Sequence, residues 1–185
     1  MISDIIRDAE TKMASAVEYA KEEFAAIRTG RAHPAMFAKL TAEYYGAPTP
    51  LQQLASFQIP EARTVLVTPY DKSSMAAIER ALRESDLGVN PNSDGNTIRL
   101  NLPQLTEERR KDYIRLARGK AEDGRISVRN IRRRAKEELD RIVKDGEAGE
   151  DEVTRAEKEL EALTRRHVDE IDELLRGKEA ELLEV

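Results

Sequence analysis

Apolar positions in the first thirty residues fall on one helical face. Ile6, Met13, Ala20 and Ile27 recur every seven residues, and Ile2, Ala9, Ala16, Val17 and Phe24 fill the same stripe, which predicts a helix over 2–28. Thr29-Gly30 follows, where glycine can take the left-handed cap position. A second stripe, Ile114, Ala117, Ala121, Gly124, Val128, Ile131, Ala135, Leu139 and Ile142, predicts a helix over 107–144. Thr106 supplies a capping hydroxyl, Glu107 and Glu108 suit the positive end of the helix dipole, and Asp145-Gly146 ends the run. At 1.5 Å per residue such a helix is about 55–60 Å long. A third stripe, Val153, Ala156, Leu160, Leu163, His167, Ile171, Leu174 or Leu175, and Leu182, predicts a helix over 150–183. Each helix has a single apolar face, so the three are expected to pack on one another as a bundle.

Residues 31–105 read differently. They carry all seven prolines and period-two patterning. Met36–Tyr45 alternates loosely before a turn at Gly46–Pro50, Thr64–Thr68 is a β-branched strand closed by Pro69, and Thr97–Leu102 alternates as another. Between them Ser73/Ser74 caps a short helix to about Ser85, and Asn92–Gly95 reads as a turn. The fold class is therefore α+β and mainly helical: an elongated three-helix bundle from residues 1–30 and 105–185, with a small β/α/β domain, 31–104, inserted. Two crossings join them, so the expected shape is a bent, two-domain molecule with hinges near 29–31 and 103–106.

Composition narrows the chemistry. The 185 residues contain no cysteine and two histidines, which excludes disulfides, thiolate metal sites and cysteine nucleophiles. His33 before Pro34 reads as structural or solvent-facing, and His167 as a satisfied bundle histidine. Glu150-Asp151-Glu152 reads as helix-start electrostatics, and Tyr44 and Tyr45 as core packing at a strand end or an exposed contact. Phosphate-loop, dinucleotide, zincin and serine-hydrolase motifs are all missing, so neither catalysis, a metal nor a cofactor is expected. No run of 18 apolar residues is present and the N-terminus lacks the order of a signal peptide, which points to a cytoplasmic protein with no membrane partner.

Charge is unevenly spread. The net charge is −5, yet residues 107–136 hold 12 basic and 5 acidic side chains, a local +7, and residues 137–185 carry −10. Within the second helix Arg115, Arg118, Arg125, Arg129, Arg132 and Lys136 recur beside the apolar stripe, with Glu122 as the one interruption. Arg133 and Arg134 widen this edge, and Arg109 and Arg110 extend basic charge toward the helix start. Arginine's planar fork suits phosphate oxygens, and a rigid basic rod can read structured RNA by shape. Two readings stand on these residues: an RNA-contacting factor, or a helical adaptor whose arginine edge meets an acidic partner or its own acidic third helix.

Short strings then accumulate in order along the whole chain: Arg28-Thr29-Gly30-Arg31-Ala32 with Pro34, Glu43-Tyr44-Tyr45-Gly46, Thr49-Pro50-Leu51, Pro69-Tyr70-Asp71-Lys72, Ser85-Asp86-Leu87-Gly88, Leu105-Thr106-Glu107-Glu108-Arg109-Arg110 and Val128-Arg129-Asn130-Ile131-Arg132-Arg133. Together they resemble the bacterial ribosome recycling factor family. The resemblance implies an L-shaped monomer that binds the post-termination ribosome. With elongation factor G and GTP it would part the subunits and free messenger and deacylated transfer RNA, hydrolysing nothing itself. It also implies that the bundle meets large-subunit ribosomal RNA near the peptidyl-transferase centre through Arg129, Arg132 and Arg133. Arg118 and Arg125 lie on the same edge, and Arg28, Arg31 and Arg110 are expected to assist. Thr29, Gly30 and Arg31, with Pro103, Gln104 and Leu105, would form the hinge. Two positions depart from the family pattern: Arg134 stands where an acid is frequent, and Gly124 where alanine is usual.

Overall fold

The structure is a computed structural model, and it describes residues 1–184. Its elements are α1 (Ile2–Ala25), β1 (Thr41–Tyr44), β2 (Ala47–Pro50), α2 (Leu51–Leu54), β3 (Ala55–Glu61), β4 (Thr64–Pro69), α3 (Met75–Arg83), β5 (Asn90–Asp94), β6 (Thr97–Asn101), α4 (Glu107–Lys144) and α5 (Glu150–Leu183). The chain divides into two compact units. One is Met1–Phe24 with Ile114–Ala180; the other is Ala25–Tyr113 with the chain from Glu181 onward.

The first unit is a three-helix bundle. Ile6, Ala9, Met13, Val17, Ala20 and Phe24 of α1 are buried, as are Ala117, Ala121, Gly124, Val128, Ala135, Leu139 and Ile142 of α4. From α5 come Val153, Ala156, Leu160, Leu163, His167 and Ile171. Ile114 and Ile131, expected in the core, are only half-buried at its margin. Arg118 pairs with Glu179 and Arg125 with Asp172, so α4 and α5 run antiparallel; Lys120 pairs with Glu23, placing the end of α1 beside the early part of α4. The α4–α5 turn contains Gly146 at φ +72°.

Gly124 lies where α4 faces both α1 and α5 at close range. A methyl added there would meet Ile171 Cδ1 at 3.0 Å and the Ala20 methyl at 3.5 Å. Glycine thus removes the side chain that would hold α4 away from α1 and α5, at an intrinsic helix cost of about 1 kcal/mol. His167 lies inside the bundle at 4% exposure, its Nδ1 hydrogen-bonded to the Leu163 carbonyl at 2.7 Å.

The second unit holds an antiparallel sheet in the order β3-β4-β6-β5, together with the β1–β2 hairpin. Val65 and Val67 of β4 pair with Leu100 and Ile98 of β6, and all four are fully buried. Ile78 and Leu82 of α3, with Phe37 and Leu51, complete this core.

Several expectations change. Helix α1 ends at Ala25, and Gly30 does not adopt a left-handed φ; the chain leaves the helix early because Ile27 and Arg28 are buried inside the second unit. Met36–Tyr45 is not one strand. Pro34 at the first position and the His33 ring, which accepts from the Ala35 N–H, set a 3₁₀ turn over Pro34–Phe37, leaving Thr41–Tyr44 as the strand. The turn read at Gly46–Pro50 shrinks to Tyr45-Gly46, and β2 pairs with β1 despite Pro48 and Pro50 because it has only one neighbour. Likewise Ala55–Glu61 and Asn90–Asp94 are strands at the two sheet edges, the first containing Pro60 and the second Pro91. The short helix is capped earlier, by Asp71, whose carboxylate accepts from the Ser73 N–H at 2.9 Å and leads through a 3₁₀ turn into α3.

Candidate nucleic-acid interface

The arginine row occupies the edge of α4 that borders α5, and the structure divides it in two. Arg118, Arg125 and Arg132 are spaced by seven, so they share one line close to the buried stripe. Each reaches an α5 carboxylate: Arg118 Nε to Glu179 at 2.9 Å, Arg125 to Asp172 at 2.7 Å and Arg132 Nη1 to Glu161 at 3.1 Å. Arg125 also meets Glu122 at 3.0 Å, and its side chain is 21% exposed. Partial burial works against the Arg125 cation, but the two carboxylates outweigh it and raise its pKa.

Farther from the core the row is more open. Arg129 is half-exposed with Glu122 at 3.9 Å, a long contact. Arg133 and Lys136 are exposed, and among the described residues neither has a carboxylate within 4.0 Å. Arg134 is a correction: nine residues beyond Arg125 it falls on the opposite side of α4, in the groove lined by Ile5, Asp8, Ala9 and Lys12 of α1, so it does not widen this edge. The result is a band in which inner guanidinium groups are held in place by α5 acids while outer ones face solvent. The more exposed pairs, at Arg118 and Arg132, contribute at most about 1 kcal/mol each, so a phosphate can take over these arginines at little cost, whereas the partly buried Arg125 is held more firmly. The acids that orient them were not singled out from the sequence. Their signal was there: Asp172 and Glu179 repeat the seven-residue spacing of Arg118 and Arg125.

The other basic residues are placed in the second unit, each by different contacts. Arg31 is exposed. Arg109 donates from Nη2 to the Tyr113 hydroxyl at 3.1 Å, with its guanidinium 5.3 Å from that ring. Arg110 is half-buried, and its Nε is enclosed with no hydrogen-bond partner among the described residues. Arg28 is a correction. It is only 4% exposed, and its guanidinium donates to the carbonyls of Leu87, at 3.0 Å, and Pro103. A side chain enclosed in this way presents no face to an incoming phosphate, so it does not belong to the solvent-facing set.

Thr29 and Gly30 are half-buried, Pro103 and Gln104 exposed and Leu105 buried; all lie within the second unit. The Thr29 hydroxyl donates to the Arg31 carbonyl at 3.2 Å. Among the described residues a methyl on Gly30 would contact the Glu184 carbonyl alone, at 3.8 Å. Tyr44 and Tyr45 differ sharply: the Tyr44 hydroxyl donates to Asp71 at 2.9 Å, whereas Tyr45 is 86% exposed at the hairpin tip. Glu150, Asp151 and Glu152 form the first turn of α5. No helix is long and apolar enough to cross a membrane among the described residues.

Comparison with known proteins gives one consistent answer. A family model described as ribosome recycling factor matches residues 20–183. The chain is 73% identical over 185 residues to the ribosome-recycling factor of Kineococcus radiotolerans and 61% identical to that of Streptomyces coelicolor, in each case covering all of both chains. Among solved structures, a solution structure of the ribosome recycling factor superposes with a TM-score of 0.78 at 41% identity, covering 100% of this chain and 98% of that one. A second, at TM-score 0.69 and 41% identity over the whole of both chains, is the T. thermophilus factor described with E. coli elongation factor G bound to the E. coli post-termination complex.

Proposed function

This chain belongs to the ribosome recycling factor family, and we propose from that premise that it recycles ribosomes. It binds the post-termination ribosome in the cytoplasm and, with elongation factor G and GTP, separates the subunits so that messenger and deacylated transfer RNA leave. The partner GTPase supplies the energy, and no group of this chain performs a hydrolysis. The observation that carries the reading is the α4 arginine edge, on a chain whose similarity to recycling factors runs from end to end.

Arg129, Arg132 and Arg133 are the proposed clamp on large-subunit RNA near the peptidyl-transferase centre, with Arg118 and Arg125 along the same line and Arg31 and Arg110 assisting. The physical case is specific. A guanidinium fork docks on phosphate oxygens through two parallel bonds, and a helix as long as α4 presents such forks at fixed intervals. Shape and backbone charge, rather than base identity, are what such a row reads. The α5 carboxylates keep the inner forks extended before binding, which lowers the ordering cost when RNA arrives. The hinge at 29–31 and 103–106 is where the smaller domain would turn under the GTPase's push, since few backbone torsions there need to change.

Light scattering of post-termination ribosomes tests this. Wild-type protein with elongation factor G and GTP is expected to split them into subunits, and Arg132→Ala to lose binding and splitting together while melting at an unchanged temperature. If wild type leaves the ribosomes intact, the reading is wrong. If Arg132→Ala binds and splits as wild type does, the recycling function stands and the clamp is misplaced.

A further inference from the structure

On the side of α4 turned toward α1, the bundle surface carries a groove of its own. Its floor is apolar: Ala9 of α1 and Ala135 of α4 are buried, and Ile5 and Ile131 line it half-buried. Alanine on both helices leaves open the space that a longer side chain would fill. The groove measures about 390 Å³ with its open mouth included. Ligand pockets span roughly 300–1,000 Å³, so this one suits a single flat group and nothing much larger.

Four charged residues border the groove, and they are not equivalent. Asp8 and Lys12 neutralise each other at 2.9 Å. Arg134 and Glu138 stand one helical turn apart on α4, both exposed, yet they do not pair; among the described residues neither has an opposite charge within 4.0 Å. Arginine ahead of glutamate is the weaker order for such a pair. An apolar floor is thus flanked by one free donor fork and one free carboxylate, side by side.

The chemistry that satisfies both is narrow. A guanidinium fork takes two adjacent acceptors, and a carboxylate takes two adjacent donors. Guanine presents N7 and O6 as acceptors, followed around its rim by N1–H and N2–H as donors; no other RNA base has that order. Its faces are flat and suit a floor of methyl groups, and RNA loops splay single bases out of the stack. We propose that the α1–α4 groove is a binding site for one unstacked guanine of RNA, with Arg134 on N7 and O6 and Glu138 on N1–H and N2–H. RNA is the occupant because Arg134 directly follows Arg132 and Arg133 of the proposed clamp, so the same RNA is within reach. A free polyphosphate would find no further cation, since Lys12 is held by Asp8. In its choice of RNA the proposal rests on the recycling reading; the guanine site itself is a property of the free protein. It gives this side of α4 a base-reading contact, where the opposite edge reads backbone charge and shape.

The first test uses the free protein and the four nucleoside monophosphates, followed by the methyl NMR signals of Ile5, Ala9, Ile131 and Ala135. Guanosine monophosphate is expected to shift these signals saturably and to bind roughly tenfold more tightly than adenosine monophosphate, the discrimination of one bidentate base contact. Arg134→Ala should weaken it by a similar factor. Glu138→Gln, which replaces an acceptor with a donor, should erase the preference for guanine. Both side chains are exposed, so neither change threatens the fold. Equal shifts with all four nucleotides, or none with any, would overturn the site. The second test uses post-termination ribosomes and dimethyl sulfate, which methylates guanine N7. Wild-type protein should protect a guanine that Arg134→Ala leaves reactive. Identical protection by the two proteins would overturn RNA as the occupant, and binding of guanosine monophosphate would then mark a free-nucleotide site. A wild type that fails to split ribosomes would remove the recycling reading and leave the nucleotide titration standing.

Discussion

Tyr45 shows what a single residue can cost. It and Gly46 form the two-residue turn between β1 and β2, with φ of +51° and +79°. Positive φ at both centres is the signature of a type I′ turn, which prefers Asn or Gly because a β-carbon is strained there. Tyr45→Asn is therefore expected to raise stability by about 0.5–1 kcal/mol, read as a higher urea midpoint at constant slope; a lower midpoint would mean that the edge-on ring contact with Tyr44 matters more. Gly124 makes the opposite case. Gly124→Ala gains about 1 kcal/mol of helix propensity but must displace the end of Ile171, so its stability should stay within about 1 kcal/mol of wild type. Gly124→Leu has no such room and should lose more than about 2 kcal/mol. A chemical denaturation series across the two variants would check both. Arg28 marks the limit of reading residues from sequence: a one-dimensional pattern gives its charge but not its enclosure, so it looked like another surface cation.

At the scale of elements, the long helices were legible because each has one apolar face and nothing else to cover it. The bounds of α4 came out as expected, since Thr106 accepts from the Arg109 N–H at 3.1 Å and Gly146 closes the far end. The strands β2, β3 and β5 were not legible. Pro48, Pro60 and Pro91 look like breakers, yet an edge strand needs only one side of its backbone free to pair. The turn into α3 is held by Asp71, whose carboxyl is kept below its usual pKa by the Ser73 N–H, the Ser73 hydroxyl and the Tyr44 hydroxyl. A group with a depressed folded pKa contributes its stability above the unfolded pKa and loses it as pH falls through the folded value. The stability gap between wild type and Asp71→Asn should thus be full at neutral pH and close on acidification below the ordinary carboxylate range. A gap constant down to strongly acid pH would contradict that origin. Between α4 and α5, a double-mutant cycle on the exposed pair Arg132 and Glu161 should return a coupling of no more than about 1 kcal/mol that shrinks in salt. A larger, salt-insensitive value would mean that the pair is a structural bond and not an exchangeable one.

For the whole molecule, the acidic total conceals a basic band, and the proposed work depends on the band. A net charge of −5 disfavours a polyanion overall, but charges farther away than the Debye length, about 8 Å at physiological salt, are largely screened, so a docking phosphate feels the local charge. Along α4 that local charge is strongly positive, and it is held in line by acids from α5. The candidate interface was partly legible for this reason: a helical period places the arginines on one edge, whereas which of them are engaged by α5 depends on how the helices pack. The most direct measurement is ribosome binding titrated over salt for wild type, Arg129→Ala, Arg132→Ala and Arg133→Ala. The account predicts a steep linear fall of log affinity with log salt in wild type, with the slope reduced by roughly 0.7–0.9 for each arginine removed. Slopes identical in all four proteins would mean that these arginines do not neutralise phosphates, and the clamp on α4 would have to be abandoned.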